Sequence, residues 1–304
     1  MTDEMLARIK NAPMRFPYAD YSKLREITPV DARFAAGSDQ LTEEEAEKFG
    51  LDVNRIPELV LARWKASEYV TMVMKKRRIT QLEATAASGI DPTLFSKYAA
   101  MVRPFTPLPQ NLTPFCYKVM EESCHKVMFG EPGEIVISSF YATIAKNLLR
   151  ATEKAKKDLL AEGYRILREN PDEPEQIDII QERISEYCYE KGRRFSQFFG
   201  EKPQRQLENR FYFIFDQKDP RVPKIPLLMF LSSESGQALD FFISPDCIKW
   251  VPTCYYDEGK KVALTDETTR AIINLCYSMA KENKRKYLPL VVKSAIDLCK
   301  KGTN

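Results

Sequence analysis

The stretch RRITQLEATAASGIDPTLFSKYAA, residues 77–100, most constrains the fold because it contains the start and stop signals of two short helices. Thr80 is a helix N-cap residue, and Gly89 supplies the positive φ that a helix C-cap requires. Asp91 can cap a second helix, with Pro92 at its first position, where a missing N–H costs nothing. The stretch therefore predicts two short helices joined by a tight turn.

Further helices are predicted on both sides of this pair. Before it, an amphipathic helix ends in the basic run 75–78, and its apolar stripe consists of Ala66, Val70, Val73 and Met74. After it, the loop MVRPFTPLP leads into two short helical segments, NLTPFCYKVME and SCHKVMFG. Five helices are thus expected between residues 57 and 131.

The order of these features resembles the lambda-repressor/Cro-like helix-turn-helix family, also called the XRE family. The similarity covers residues 61–131. The residues that carry it are, in chain order, Ile79-Thr80-Gln81, Gly89-Ile90-Asp91, Phe95-Ser96-Lys97-Tyr98, Asn111-Leu112 and the closing segment 123–130. The chain departs from the family after the third helix, where Met101-Val102-Arg103 replaces a turn that usually reads Gly-Lys-Arg.

The resemblance implies that the third helix lies in the major groove of duplex DNA, with its first residues at base edges. The residues expected to contact DNA are Arg77, Arg78, Gln81, Thr93, Leu94, Ser96, Lys97 and Arg103. Gln81 and Arg103 match phosphate-contacting positions, which fix register, whereas base-edge contacts carry the sequence information. The helix has no Arg, Asn or Gln for bidentate base contacts. Thr93, Ser96 and Lys97 also fit an ordinary solvated helix face.

Positive charge is concentrated around this stretch. Residues 61–104 carry eight basic and three acidic side chains, whereas residues 1–60 carry eight basic and twelve acidic ones, and the whole chain has a net charge of +3. A basic patch attracts phosphate without regard to sequence. The same pattern is also found on solvated surfaces that bind nothing.

Residues 177–246 repeat the same order of features in a degenerate form. A helical stripe ends at Lys191-Gly192, and the segment 193–197, RRFSQ, parallels RRITQ at 77–81. The later segment LLMFLSSESGQALDFFIS resembles the closing helix pair. The candidate DNA contacts of this second copy are Gln197, Gln204, Arg205, Asn209 and Arg210. The sequence leaves open whether this copy binds DNA or only supports the fold.

The remaining segments complete the predicted fold. Residues 140–170 are predicted as one long charged helix, either a spacer or a coupling helix, and YYDEGKKVALTDET is compatible with a small hairpin. The predicted fold class is all-α, with two lambda-repressor-like helix-turn-helix domains joined by a long helix. The predicted boundaries are an N-terminal extension 1–56, a helix-turn-helix domain 57–131, a connecting helix 132–172, a second domain 173–248 and C-terminal helices 249–304.

The sequence gives little support to other classes of protein. Seven scattered cysteines without a C-x-x-C motif indicate free thiols in a reducing compartment, not disulfides or a zinc site. The only histidine, His125, diverges from its helical neighbour Cys124, a poor nucleophile–base arrangement. With no phosphate-binding, dinucleotide or zinc-protease motif, no enzyme activity, metal or cofactor is predicted. The absence of a signal peptide and of a long apolar run predicts a cytoplasmic protein.

The sequence therefore predicts a transcriptional regulator, a repressor, that binds double-stranded DNA sequence-specifically through residues 91–100. Two domains of one chain, or two chains of a homodimer, would reach successive major grooves about 34 Å apart. The alternative is a helix-turn-helix scaffold kept for protein–protein interaction without DNA binding. The missing glycine and the lack of bidentate side chains favour that alternative. No motif indicates a small-molecule effector.

Overall fold

The computed structural model of the chain describes residues 55–100, 103–192, 212–245 and 253–301. Most of these residues are helical, and three short strands form one sheet. The α-helices are α1 Arg55–Arg77, α2 Gln81–Ser88, α3 Pro92–Ala99, α4 Pro109–Pro114, α5 Cys124–Phe129, α6 Ser139–Leu148, α7 Glu153–Glu169, α8 Gln176–Lys191, α9 Ile225–Ser235, α10 Leu239–Ile243, α11 Glu267–Ser278 and α12 Lys281–Lys301. A π-helix spans Phe115–Met120, a 3-10 helix spans Tyr212–Ile214, and the strands are β1 Ile135–Val136, β2 Thr253–Asp257 and β3 Lys260–Ala263. Almost all of the predicted N-terminal extension, 1–56, lies outside the described residues.

The chain forms two compact units, each built from two separate stretches. The first unit comprises residues 1–133 and 194–239, and the second comprises residues 134–193 and 240–304. The segment 57–131, predicted as a helix-turn-helix domain, lies wholly within the first unit. The segment 173–248, predicted as a second domain, is divided between both units.

Local capping interactions define α2 and α3 in the first unit. Thr80 Oγ accepts a hydrogen bond from Glu83 N at 3.2 Å, and the Glu83 carboxylate accepts one from Thr80 N at 2.7 Å, which forms a capping box. Helix α2 ends at Gly89, whose φ is 72°. The Asp91 carboxylate then accepts from Leu94 N at 2.8 Å and begins α3. The two predicted helices, their caps and the turn between them are confirmed.

Aromatic rings form the core of the first unit beneath α3. Phe95 and Tyr98 are buried, as predicted, and the ring centroids of Phe95 and Phe115 are 5.7 Å apart. Phe105 contacts both Tyr98 and Phe115, with centroid distances of 5.2 and 5.3 Å. Burial raises the pKa of Tyr98, although hydrogen bonds to Thr106 act in the opposite direction. The buried stripe of α1 contains Ala66, Val70, Val73 and Met74, as the sequence predicts.

The chain's histidine joins the two stretches of the first unit. His125 Nδ1 accepts a hydrogen bond from Leu239 N at 3.0 Å, and its ring stacks on Phe129 at 4.5 Å between centroids. Gly133 lies so close that an added Cβ would be 2.6 Å from both His125 Cγ and the Ala238 Cβ. Residues 125–133 and 238–239 are therefore tightly packed against each other.

The predicted single helix over residues 140–170 is wrong. The second unit contains two helices there, α6 and α7, and residues 149–152 separate them. Thr152 has extended backbone, with φ −66° and ψ 147°, and its Oγ accepts from Ala155 N at 3.3 Å. Because an N-cap residue starts a new helix, Thr152 interrupts a charge pattern that is otherwise continuous. The sequence contains this signal, in the run Ala151-Thr152-Glu153.

The small sheet lies in the second unit. Strand β1 pairs in parallel with β2, and β2 pairs in antiparallel with β3. The turn between β2 and β3 places Glu258 and Gly259 at φ 48° and 78°, as in a type I′ turn. The hairpin with which the sequence is compatible is thus present. The described part of the chain is mostly helical with one small sheet, in agreement with the largely all-α fold that the sequence predicts.

Helix α8 is anchored within the second unit by a buried arginine. The Arg183 side chain donates to the carbonyl oxygen of Tyr277 at 3.0 Å. Its guanidinium carbon, Cζ, lies 3.9 Å from the centroid of the Tyr277 ring. The Tyr277 hydroxyl donates to Glu186 at 2.6 Å. Helix α8, predicted as the first helix of the second copy, therefore packs on residues of α11.

Within the described ranges, every helix is too short or too polar to cross a lipid bilayer.

Candidate nucleic-acid interface

Helix α3 has one buried face and one exposed face. Phe95 and Tyr98 point into the core, Leu94 is half-buried, and Thr93, Ser96 and Lys97 are exposed. The exposed side chains run from the first turn of α3, at Thr93, to its last turn, at Lys97, because α3 is only eight residues long. Two hydroxyl groups and one ammonium group are therefore presented together, and each can hydrogen-bond to a base edge or a phosphate.

The turn that precedes α3 accepts a hydrogen bond from a residue of another helix. Asn111 on α4 donates its side-chain amide to the carbonyl oxygen of Gly89 at 3.0 Å. Because Gly89 caps α2 and precedes the start of α3, this hydrogen bond restrains the angle between the two helices. Asn111 is a residue of the family resemblance, but no local sequence pattern reveals this contact.

Gln81 and Ser96, predicted as separate DNA contacts, are in contact with each other. Ser96 Oγ lies 3.0 Å from Gln81 Oε1 and 2.9 Å from the carbonyl oxygen of Pro92. A hydroxyl group has a single proton, so Ser96 can donate to only one acceptor at a time. A base or phosphate that takes this proton must replace an acceptor within the protein.

Lys97 and Arg103 are both exposed at the end of α3. In the part of the chain that the structure describes, the Lys97 ammonium has no carboxylate partner within ion-pair distance. Arg103 N donates to the carbonyl oxygen of Lys97 at 3.2 Å, and the Arg103 carbonyl oxygen accepts from Ser67 Oγ at 3.3 Å. The backbone of this loop is thus tied to α1 and α3 without the Gly-Lys-Arg turn that the family usually has.

The end of α1 carries Arg77 and Arg78. Ile79 N donates to the Met74 carbonyl oxygen at 2.9 Å and Arg78 N to that of Lys75 at 3.3 Å, the pattern of a Schellman motif. Arg78 occupies the left-handed position of this motif, with φ 59°, where glycine is the favoured residue. Its side chain is exposed.

The exposed positive charge is smaller than the sequence count suggests. Arg63 and Lys65 of α1 are buried, with 0% and 3% of their surfaces exposed, so they cannot meet a partner at the surface. The exposed basic residues of this region are Lys75, Lys76, Arg77, Arg78, Lys97 and Arg103. A count of charges places both cations at the surface, although Arg63 is in helical register with Ala66 and Val70 of the buried stripe.

Asp91 and Glu83 are acidic residues near the proposed interface, and both cap helices. The Asp91 carboxylate is bonded to Leu94 N, and the Glu83 carboxylate is bonded to the backbone and hydroxyl of Thr80. These two hydrogen bonds lower the pKa of Glu83, so it stays ionised. The caps keep the negative charge at the starts of α2 and α3, where the helix dipole stabilises it.

The candidate contacts of the second copy, Gln197, Gln204, Arg205, Asn209 and Arg210, lie outside the described residues.

No protein-family model matches this chain, and searches of curated proteins and of solved structures gave no significant match.

Proposed function

We propose that the chain is a transcriptional regulator, a repressor, that binds duplex DNA sequence-specifically and places α3 in the major groove. The proposal includes a helix-turn-helix arrangement of α1 to α5 like that of the lambda-repressor/Cro-like family. The observation that carries it is the exposed edge of α3, with Thr93, Ser96 and Lys97, on a turn restrained by Asn111. A short helix that is exposed on one face, and is held on the other by packing and by a hydrogen-bonded turn, has a geometry suited to entering the groove.

The exposed groups divide into two kinds of contact. Thr93 and Ser96 can hydrogen-bond to base edges, and Leu94 can contact a thymine methyl group. Gln81, Lys97 and Arg103 would contact phosphate, and Arg77 and Arg78 would add positive charge at the end of α1. Phosphate contacts fix the position of the helix, and the few base contacts at Thr93, Leu94 and Ser96 provide specificity. Repression would then follow from occupation of an operator.

Salt dependence of binding tests this proposal. The wild-type protein is expected to retard duplexes recovered from a genomic fragment library, with affinity falling steeply between about 50 and 200 mM salt. The double variant Lys97→Ala/Arg103→Ala should reduce the slope of log K against log salt by about 1.8, the loss of two phosphate contacts. The variant Lys154→Ala/Lys157→Ala removes two exposed cations of α7 and should leave the slope unchanged. If no duplex is retarded at low salt, the proposal is wrong.

A protein-interaction scaffold is the second candidate, and one observation favours it. Leu82 on α2 is 76% exposed, directly after Gln81, and its side chain could be buried against an apolar surface of a partner protein but not against a phosphate backbone. The variant Leu82→Ser separates the two functions. If the chain is a DNA-binding regulator, this variant should bind duplex DNA as tightly as the wild type. If the chain is a scaffold, a partner protein that co-purifies with the wild type should be lost from the variant.

A further inference from the structure

An exposed carboxylate lies beside the cations at the end of α1. Glu121 Oε2 is 3.4 Å from Arg77 Nη1, and the two side chains are 69% and 35% exposed. Glu121 follows the π-helix and has left-handed backbone, with φ 53° and ψ 37°. This conformation is unfavourable for any residue except glycine, with asparagine and aspartate partly tolerated.

The turn at Glu121 does not depend on the Glu121 side chain. Glu122 N donates to the carbonyl oxygen of Cys116 at 3.0 Å, which closes the end of the π-helix. The Glu122 carboxylate accepts from the Tyr69 hydroxyl at 2.7 Å and from Lys126 at 2.8 Å. These neighbouring contacts fix the turn, so the Glu121 carboxylate adds only an exposed ion pair, a weak stabilising interaction.

We propose that Glu121 is an internal competitor for DNA phosphate. It holds Arg77 in the free protein and thereby lowers the affinity of this surface for duplex DNA, an inference that rests on the proposed function. A phosphate that binds Arg77 must displace the carboxylate, and the displaced carboxylate then repels that phosphate. Glu121 thus limits the sequence-independent attraction that Arg77 and Arg78 would otherwise exert.

The variant Glu121→Gln tests this inference because it removes the charge and keeps the shape of the side chain. Its affinity for a duplex of random sequence at low salt should rise by roughly 3–10-fold, the effect of one exposed charge at close range. The slope of log K against log salt should become steeper by about 0.9, because Arg77 then contacts phosphate. Glu258→Gln is the matched control, since Glu258 is also exposed and left-handed, with φ 48°, in the β2–β3 turn. Its affinity should equal that of the wild type.

A double-mutant cycle assigns the effect to Arg77. In the Arg77→Ala background, Glu121→Gln should increase affinity by less than 2-fold, since the competitor has lost its target. An equal gain in both backgrounds would mean that Glu121 acts only through net charge, which overturns the inference. If the wild type binds DNA and Glu121→Gln binds with no higher affinity, the inference is also overturned. Absence of wild-type binding overturns the proposed function instead.

The variant Glu121→Gly, which relieves the backbone strain, should show the same gain in affinity together with a higher melting temperature.

Discussion

The side-chain amide of Asn111 donates to the carbonyl oxygen of Gly89 at 3.0 Å, across 22 positions of sequence. This hydrogen bond connects α4 to the turn between α2 and α3. An added Cβ at Gly89 would be 3.6 Å from Asn111 Oδ1, an ordinary contact, so the turn needs glycine for its φ of 72° rather than for space. The turn that precedes α3 is therefore restrained by one long-range hydrogen bond and by the backbone conformation of Gly89, in addition to the packing of Phe95 and Tyr98.

Replacing Asn111 should weaken DNA binding by changing the orientation of α3. Asn111→Ala and Asn111→Asp both remove the amide donor, and each should lower the free energy of unfolding by about 1 kcal/mol, as for a typical hydrogen bond. Urea denaturation measures this loss. Gel retardation at a temperature where all variants are folded should show reduced preference for the specific duplex, because the misplaced helix loses base contacts. An unchanged preference would mean that Asn111 supports stability only.

Arg78→Gly should raise stability and lower DNA affinity at the same time. Glycine removes the left-handed strain at φ 59°, so the free energy of unfolding should rise by about 0.5–1 kcal/mol. The lost cation should make the salt slope shallower by about 0.9. Arg78→Ala is the control, since it loses the charge but keeps the strain. If Arg78→Gly leaves the salt slope unchanged, Arg78 does not contact phosphate.

Asp266→Asn should destabilise the second unit in a pH-dependent way. Lys156 Nζ is almost buried and lies 2.7 Å from Asp266 Oδ2, while Asp266 Oδ1 caps α11 by accepting from Thr269 N. Asparagine keeps the cap and removes the ion pair. Because Glu153 remains 2.8 Å from Lys156, the loss at pH 7 should be about 1–2 kcal/mol, below that of a wholly unpaired buried charge.

The pH range of this effect follows from the two pKa shifts. Hydrogen bonds to Asp266 and Glu153 raise the pKa of Lys156 above 10.5, so its contribution is complete below pH 10.5 and falls as the pH rises further. Burial raises the pKa of Asp266, but hydrogen bonds from Lys156 and Thr269 lower it more, to below 3.8. Its contribution is complete above pH 3.8 and disappears in stronger acid. Urea denaturation at pH 7 and at pH 2–3 should show the difference between wild type and variant shrinking, with Asp172→Asn, an exposed control outside the helices, near zero at both.

Local signals in the sequence predict the ends of helices well. Thr80, Gly89 and Asp91 each act through atoms within four residues of themselves, so their roles follow from residue type and spacing. The same holds for the Glu258–Gly259 turn. The break at Thr152 is equally local, and its N-cap signal competes with a charge pattern that continues through it.

Long-range contacts are what the sequence could not predict. Arg63 and Lys65 lie on the buried face of α1, although a charge count places them at the surface. The parallel pairing of Ile135 with Thr253 joins residues that no local pattern connects. In the candidate site, the exposure of Thr93, Ser96 and Lys97 follows from the period of α3, whereas the Gln81–Ser96 contact, the Arg77–Glu121 ion pair and the Asn111–Gly89 hydrogen bond depend on the packing of whole helices.

Gly163→Ala should destabilise the second unit even though alanine is the better helix former. Gly163 lies within α7, where an added Cβ would overlap Leu275 Cδ2 and lie 2.8 Å from Tyr287 Cζ. The Tyr287 ring has little freedom to move, because it is buried and its hydroxyl donates to the carbonyl oxygen of Leu159 at 3.2 Å. Overpacking of this kind costs about 1–3 kcal/mol, more than the gain of about 1 kcal/mol in helix propensity.

The exposed residue Ala161 of the same helix provides the matched control for Gly163→Ala. Ala161→Gly meets no steric barrier and should lower the free energy of unfolding by about 0.5–1 kcal/mol through helix propensity alone. Urea denaturation of both variants separates the two effects, since a propensity effect alone would give them opposite signs. We expect both to be destabilised, because a methyl group at Gly163 would meet side chains of α11 and α12. A Gly163→Ala variant more stable than the wild type would show that this contact is loose enough to accept a methyl group.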